Sequence, residues 1–237
     1  MEFSFETGEI LLINKPYTWT SFDVVGKMRS VIRQRMGIRK IKIGHAGTLD
    51  PLATGLLILC TGKFTRRIDE FQGLEKEYTG TIRLGATTPS FDLETAIDQI
   101  YPLTTLTGPE KIHSAAKHFI TTFDQVPPQF SAIKIDGKRA YESARKEINV
   151  EIKARQVTIS AFEIIRIEMP DVDFRVICSK GTYIRSLARD FGELLDCGAH
   201  LTALCRTRIG SFHLRDAYEI SDFQNILPDT FNKGKPE

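Results

Sequence analysis

Gly44-His45-Ala46-Gly47-Thr48-Leu49-Asp50-Pro51-Leu52-Ala53-Thr54-Gly55 is rich in Gly, Thr and Pro and carries little periodicity, which predicts a loop. Leu56-Leu57-Ile58-Leu59 follows at once, an apolar run that predicts a buried strand. An isolated Asp-Pro usually marks only a turn. Here it lies between glycines, beyond a basic stretch and hard against a strand able to hold the carboxylate rigidly. Asp50 is therefore the candidate chemical group.

Upstream, Leu11-Leu12-Ile13 predicts a short strand that stops at Asn14-Lys15-Pro16. Thr20-x-x-Asp23 reads as a capping box, and Val24, Met28, Val31 and Ile32 recur at helical spacing until Gly37. Downstream, Tyr78, Gly80, Ile82 and Leu84 alternate as a strand. Pro109 opens a helix, and Ile133-x-Ile135-Asp136-Gly137 reads as a strand entering a tight turn. Strands are expected at 148–152, 157–167 and 172–178, then a helix from Thr182 and a short tail after 210. This order predicts an α+β fold in a single domain over 1–237.

The chain has 237 residues, 41% hydrophobic and 26% charged, and no apolar run approaches a membrane span. With an acidic start and no signal-peptide pattern, a cytoplasmic protein without a membrane partner is expected. Net charge is only +2, but Asp23 to Asp50 encloses seven Lys and Arg and no acid, Arg33, Arg39 and Lys42 among them. Arg206, Arg208, His213 and Arg215 form a second acid-free basic stretch. Such stripes suit a phosphate backbone, or equally a solvated helix face.

Other chemistries fit poorly. Gly62-Lys63 lacks the earlier glycine and the following hydroxyl of a phosphate loop, and no dinucleotide fingerprint follows a strand. Asp92 and Glu94 form an acidic pair that nothing joins to Asp50. Ser179-Lys180 makes a poor nucleophile and base. Cys197-x-x-His200 with Cys205 and Cys178 lacks the paired short spacings of structural zinc. What remains is a lone carboxylate needing neither metal nor cofactor.

The Gly44–Pro51 stretch resembles the catalytic signature of the TruB-type tRNA pseudouridine-55 synthases. Lys15-Pro16, Glu77-Tyr78, Pro127-Pro128-Gln129-Phe130-Ser131-Ala132, Cys178–Arg185 and Gly198-Ala199-His200-Leu201 match in the same order, from about Gly8 to Gly210. The resemblance implies a pseudouridine synthase fold, with a mixed, largely antiparallel sheet flanked by helices. It implies an isomerase that cleaves the C–N bond of uridine 55 in the tRNA T-loop, turns the base and rejoins it through carbon. Asp50 would attack the ribose or take its 2′ proton. Tyr78 would assist loss of the C5 proton, and Arg185 would pair with Asp50. Tyr183 and Leu204 would line the uracil pocket, Lys15 would shape it, and His45 would fill the space left by the flipped nucleotide. A thumb-like segment at about 124–152 would meet RNA phosphates through Lys134 and its neighbours, as Arg33, Arg39, Lys42 and Arg206 would elsewhere. The T-arm of tRNA would be the partner, with no protein partner required.

Two departures from the family pattern stand out. Cys205 replaces an arginine commonly found before Arg206, and the residues after Gly210 are too few for the PUA-type domain of many relatives. A non-catalytic RNA-binding protein on the same fold is the alternative. Retention of Asp50, Tyr78 and Arg185 together argues against it.

Overall fold

The computed structural model describes residues 3–103, 108–131, 134–135, 138–139 and 152–228. In chain order they form β1 (Ile10–Lys15), α1 (Ser21–Met36), β2 (Ile43–His45), β3 (Ala53–Thr61), α2 (Ile68–Gly73), β4 (Lys76–Leu84), β5 (Ala86–Thr87), β6 (Gln99–Ile100), α3 (Pro109–His118), β7 (Thr122–Gln125), β8 (Lys134–Ile135), β9 (Lys138–Arg139), β10 (Arg155–Glu168), β11 (Asp171–Cys178), α4 (Ile184–Leu194), β12 (Ala199–Ile209), β13 (Phe212–His213) and α5 (Ile220–Ile226). The fold is α+β, as expected. The chain divides into two compact units, Met1–Lys76 with Cys205–Glu237, and Glu77–Leu204. Strands β4 and β12 each begin in one unit and end in the other.

In the first unit β1 and β3 pair antiparallel from Ile10↔Cys60 to Lys15↔Gly55. The capping box forms: the Asp23 amide donates to the Thr20 hydroxyl, and the Thr20 amide donates back to the Asp23 carboxylate. Gly37 ends α1 in the left-handed conformation. Val24, Val25, Met28, Val31 and Ile32 of α1 are buried with Leu11, Ile13, Leu57 and Leu59. Each such side chain contributes roughly 1.5–3 kcal/mol. The segment after Gly210 is not a tail. Tyr218 exchanges backbone hydrogen bonds with Leu12 and Asn14, and Phe223 of α5 is buried against Phe3 and Phe5.

The second unit places β12, β4, β11, β10 and β7 side by side, with β10–β11 and β7–β10 antiparallel. Its core joins Ile82, Leu84, Phe162, Phe174 and Val176 to Ile112 and Ala116 of α3 and to Leu187 and Phe191 of α4. Alternation along β11 turns Val172, Phe174 and Val176 inward and Asp171, Asp173 and Arg175 outward. The outward groups pair across strands: Arg83 with Asp171, Arg166 with Asp173, and Arg175 with Glu77 and Glu163.

Three boundaries differ from the sequence reading. Ile43–His45 and Ala53–Thr61 are strands, so the expected loop of 44–55 narrows to 46–52. Helix α4 starts at Ile184 rather than Thr182. Residues 199–209, read only as a motif, form a long strand. Lys134 pairs with Arg139 and Ile135 with Lys138, while residues 136–137, where the tight turn is expected, lie outside the described residues. Residues 140–151, including most of the strand expected at 148–152, lie outside the described residues.

Candidate active site

The loop 46–52 is tied down on both sides of Asp50. The buried Ser21 hydroxyl accepts from the Leu49 amide (2.8 Å) and donates to the Leu49 carbonyl (3.2 Å). The Ala53 amide donates to the Asp50 carbonyl (3.1 Å), closing the turn through Pro51. Arg206 is buried, with 1% of its surface exposed. Its Nε donates to the Leu56 carbonyl (2.8 Å) and its Nη2 to the Gly47 carbonyl (3.2 Å), joining β3 to the loop. Gly55 makes this approach possible: its φ is +104°, and a Cβ there would meet the Arg206 carbonyl oxygen at 2.4 Å.

Lys15 ends β1 fully buried. Its Nζ donates to the carbonyls of Trp19 (2.5 Å), Pro16 (2.9 Å) and Pro51 (3.3 Å). Burial lowers its pKa to about 8; the Asp50 carboxylate pulls it upward and the Arg206 charge pushes it down. Lys15 is thus within electrostatic reach of both Asp50 and Arg206. His45, half-buried at the end of β2, is held below the ordinary imidazole value, first by burial and then by Arg206, against a hydrogen bond with the Gly47 backbone.

In the second unit Arg185 is buried in the first turn of α4. It donates to the carbonyls of Phe130 (2.9 Å) and Ser90 (3.3 Å), and its Nε lies 3.6 Å from an Asp92 oxygen. The other Asp92 oxygen accepts the Glu94 amide at 2.9 Å. Tyr183 occupies the N-cap position of α4. Tyr78 on β4 and Leu204 on β12 are partly buried against the core of this unit. Beside Tyr78, Glu77 accepts from Arg175 at 2.7 Å.

Residues 33–184 match the model of the TruB family pseudouridylate synthase N-terminal domain, and residues 185–233 match the tRNA pseudouridylate synthase B C-terminal domain. The chain belongs to the TruB family. Among relatives of this TruB-family chain, tRNA pseudouridine synthase B of Flavobacterium johnsoniae is 55% identical over 93% of this chain and 96% of its own. That of Phocaeicola vulgatus is 54% identical over 94% and 95%. Among solved structures, a Cbf5-Nop10-Gar1 complex superposes with a TM-score of 0.70 at 27% identity, over 93% of this chain. An H/ACA RNP bound to a substrate RNA containing 2′-deoxyuridine gives 0.67 at 26%, again over 93%. The TruB-family chain spans 54% and 53% of the chains matched in those two structures.

Within the first unit Asp50, Lys15, His45 and Arg206 come together; within the second, Arg185 lies two residues from Tyr183 on the same turn. Arg33, Arg39 and Lys42 are exposed, as phosphate contacts require. Arg206, read from its charge as another such contact, is instead spent on carbonyls in the interior. The side chain of Lys134 lies outside the described residues. Asp92 was passed over because only the fold brings it to Arg185. His200 Nδ1 lies 2.9 Å from the Ala86 carbonyl, and among the described residues no group of three or more His, Cys, Asp or Glu is placed to hold a metal. No helix among them is long and apolar enough to cross a membrane.

Proposed function

We propose that this chain isomerises uridine to pseudouridine in tRNA, at uridine 55 of the T-loop, with Asp50 as the reacting carboxylate. The observation that carries the reading is the Asp50 loop: a carboxylate within electrostatic reach of the buried Lys15, on a loop whose backbone is fixed by hydrogen bonds from Ser21, Lys15 and Arg206. Membership of the TruB family and 55% identity to a tRNA pseudouridine synthase B support it.

The reaction balances within one nucleotide. The bond from C1′ to N1 breaks, the uracil turns, and a bond from C1′ to C5 forms. A proton leaves C5 and one is gained at N1, so no water, cofactor or metal is consumed. Asp50 drives cleavage by attack at C1′ or by taking the 2′ proton. Glycoside hydrolysis needs a second carboxylate to protonate the leaving group or activate water; a reaction that excludes water does not. Tyr78 helps remove the C5 proton, and Arg185 pairs with Asp50 to keep it ionised.

The target base must leave its stack, at a cost of a few kcal/mol, which a loop lowers because its bases can be splayed. His45 takes the vacated place. Arg33, Arg39, Lys42 and Lys134 hold phosphates of the T-arm, Lys134 from the thumb-like segment at about 124–152. The enzyme works in the cytoplasm without a protein partner.

The test is to incubate the protein, in EDTA, with an unmodified T-arm hairpin and with the full tRNA transcript, then map pseudouridine by nucleotide. Pseudouridine at the T-loop uridine in both RNAs is expected. Modification outside the T-arm, or none in either RNA, would sink the proposal.

A further inference from the structure

We infer that Gln125 and Arg155 are positioning residues that hold Tyr183 from two sides, its backbone and its ring. The inference rests on the proposed role of Tyr183 in the uracil pocket. Tyr183 opens α4, and among the described residues no side chain of its own caps that helix start. Gln125, 1% exposed on β7, supplies the missing constraint. Its Oε1 accepts from the Tyr183 amide (2.8 Å) and its Nε2 donates to the Tyr183 carbonyl (3.1 Å). A side-chain amide that meets both backbone groups of one residue restricts φ and ψ together, as a neighbouring strand does.

Arg155 is the register partner of Gln125 across β7 and β10. Its guanidinium carbon lies 4.5 Å from the centroid of the Tyr183 ring. A second donor reaches the Gly181 carbonyl at the start of the same turn. A cation over one ring face leaves stacking on a base to the other face. Gly181 itself has a φ of +85°, a left-handed backbone conformation that favours glycine, and this shapes the chain leading into Tyr183. Arg185 follows two residues later, so a shift of Tyr183 also moves the arginine that the reaction uses.

The experiment measures the single-turnover rate at saturating T-arm hairpin, RNA affinity and melting temperature for Arg155→Met, Arg155→Lys, Gln125→Glu and Tyr183→Leu. Arg155→Met keeps the stem and removes the charge. Its rate is expected to fall about 2- to 30-fold with affinity and melting temperature near wild type, the fold-change that an ordinary cation–π contact represents. Arg155→Lys should recover part of that loss. In the Tyr183→Leu background, Arg155→Met should cost nothing further. Gln125→Glu keeps the acceptor for the Tyr183 amide but loses the donor to its carbonyl, and should slow the reaction without weakening binding. If it fails to fold, the Arg155–Tyr183 cycle decides.

Weaker RNA binding at an unchanged saturated rate would make Arg155 a phosphate contact and overturn the inference. So would independent, additive losses from Arg155 and Tyr183. A wild-type rate for Tyr183→Leu would instead remove the pocket reading, and the inference with it. A slow Tyr183→Leu beside a fast Arg155→Met removes the inference alone.

Discussion

The loop that carries Asp50 is held by the buried cations Lys15 and Arg206, whereas the turn that carries Tyr183 and Arg185 is held by a neutral amide, Gln125, as well as by Arg155, and is met by a carboxylate. Lys15 and Arg206 spend their hydrogen bonds on the carbonyls of Pro16, Trp19, Pro51, Leu56 and Gly47. Such bonds fix geometry without cancelling charge, and Lys15 lies within electrostatic reach of Asp50. In the other unit Gln125 brings no charge, and Asp92 faces Arg185 at 3.6 Å. At Tyr183 a neutral scaffolding group thus shares the work with a cation, and the charge that faces Arg185 is a carboxylate.

The sharpest way to break this comparison is Asp50→Asn, which keeps shape and removes charge. Turnover should fall by about 10⁴-fold or more, while affinity for T-arm RNA stays within about threefold of wild type. Near-wild-type turnover would remove Asp50 from the chemistry.

Arg206→Met comes next. It leaves the Leu56 and Gly47 carbonyls without their donor and should cost about 3–5 kcal/mol of stability in urea denaturation. A loss under about 1 kcal/mol would return Arg206 to the solvated basic stripe where its charge first placed it.

Charge was the least reliable guide to position in this chain. Arg33 and Arg206 read alike as sequence, yet one is exposed on α1 and the other lies in the interior, because a buried guanidinium needs carbonyl partners that only the folded loop and β3 provide. Helix α1 was legible because its cap, apolar spacing and terminal glycine all lie within one segment. Strand β12 was not: it runs from one core into the other, and its inward positions include His200 and Arg206. Helix α5 was read as a tail because it is only two turns long, and its burial depends on Phe3 and Phe5 at the other end of the chain. Asp50 was legible from its glycine-rich setting and the buried strand after it. Its surroundings were not, since Lys15 and Arg206 reach it from opposite ends of the sequence.

A subtler test uses pH. Folding lowers the Lys15 pKa from 10.5 to about 8, so the fold disfavours its charged form. Below about pH 8 both folded and unfolded states hold the proton and the penalty is complete. Between about 8 and 10.5 the folded state has released it while the unfolded state keeps it, so stability relative to a Lys15→Met variant should rise, by roughly 3 kcal/mol in all. A flat difference across that range in urea denaturation would mean that the ammonium is not held in this way.

The smallest effect belongs to the exposed stripe. Reversing Arg33 and Arg39 to glutamate should leave stability within about 0.5 kcal/mol. It should weaken RNA binding and flatten the slope of log affinity against log salt by about one to two units, with the modified position unchanged. Unchanged affinity and slope would make the stripe a solvated helix face.

The central claim is that a lone carboxylate rearranges one nucleotide without releasing any part of it. Intact mass spectrometry of a T-arm hairpin, before and after complete reaction, tests it most directly when combined with nucleoside analysis. The RNA should keep its mass while one uridine is replaced by one pseudouridine. Free uracil and a strand lighter by one base would identify an N-glycosylase and contradict the account.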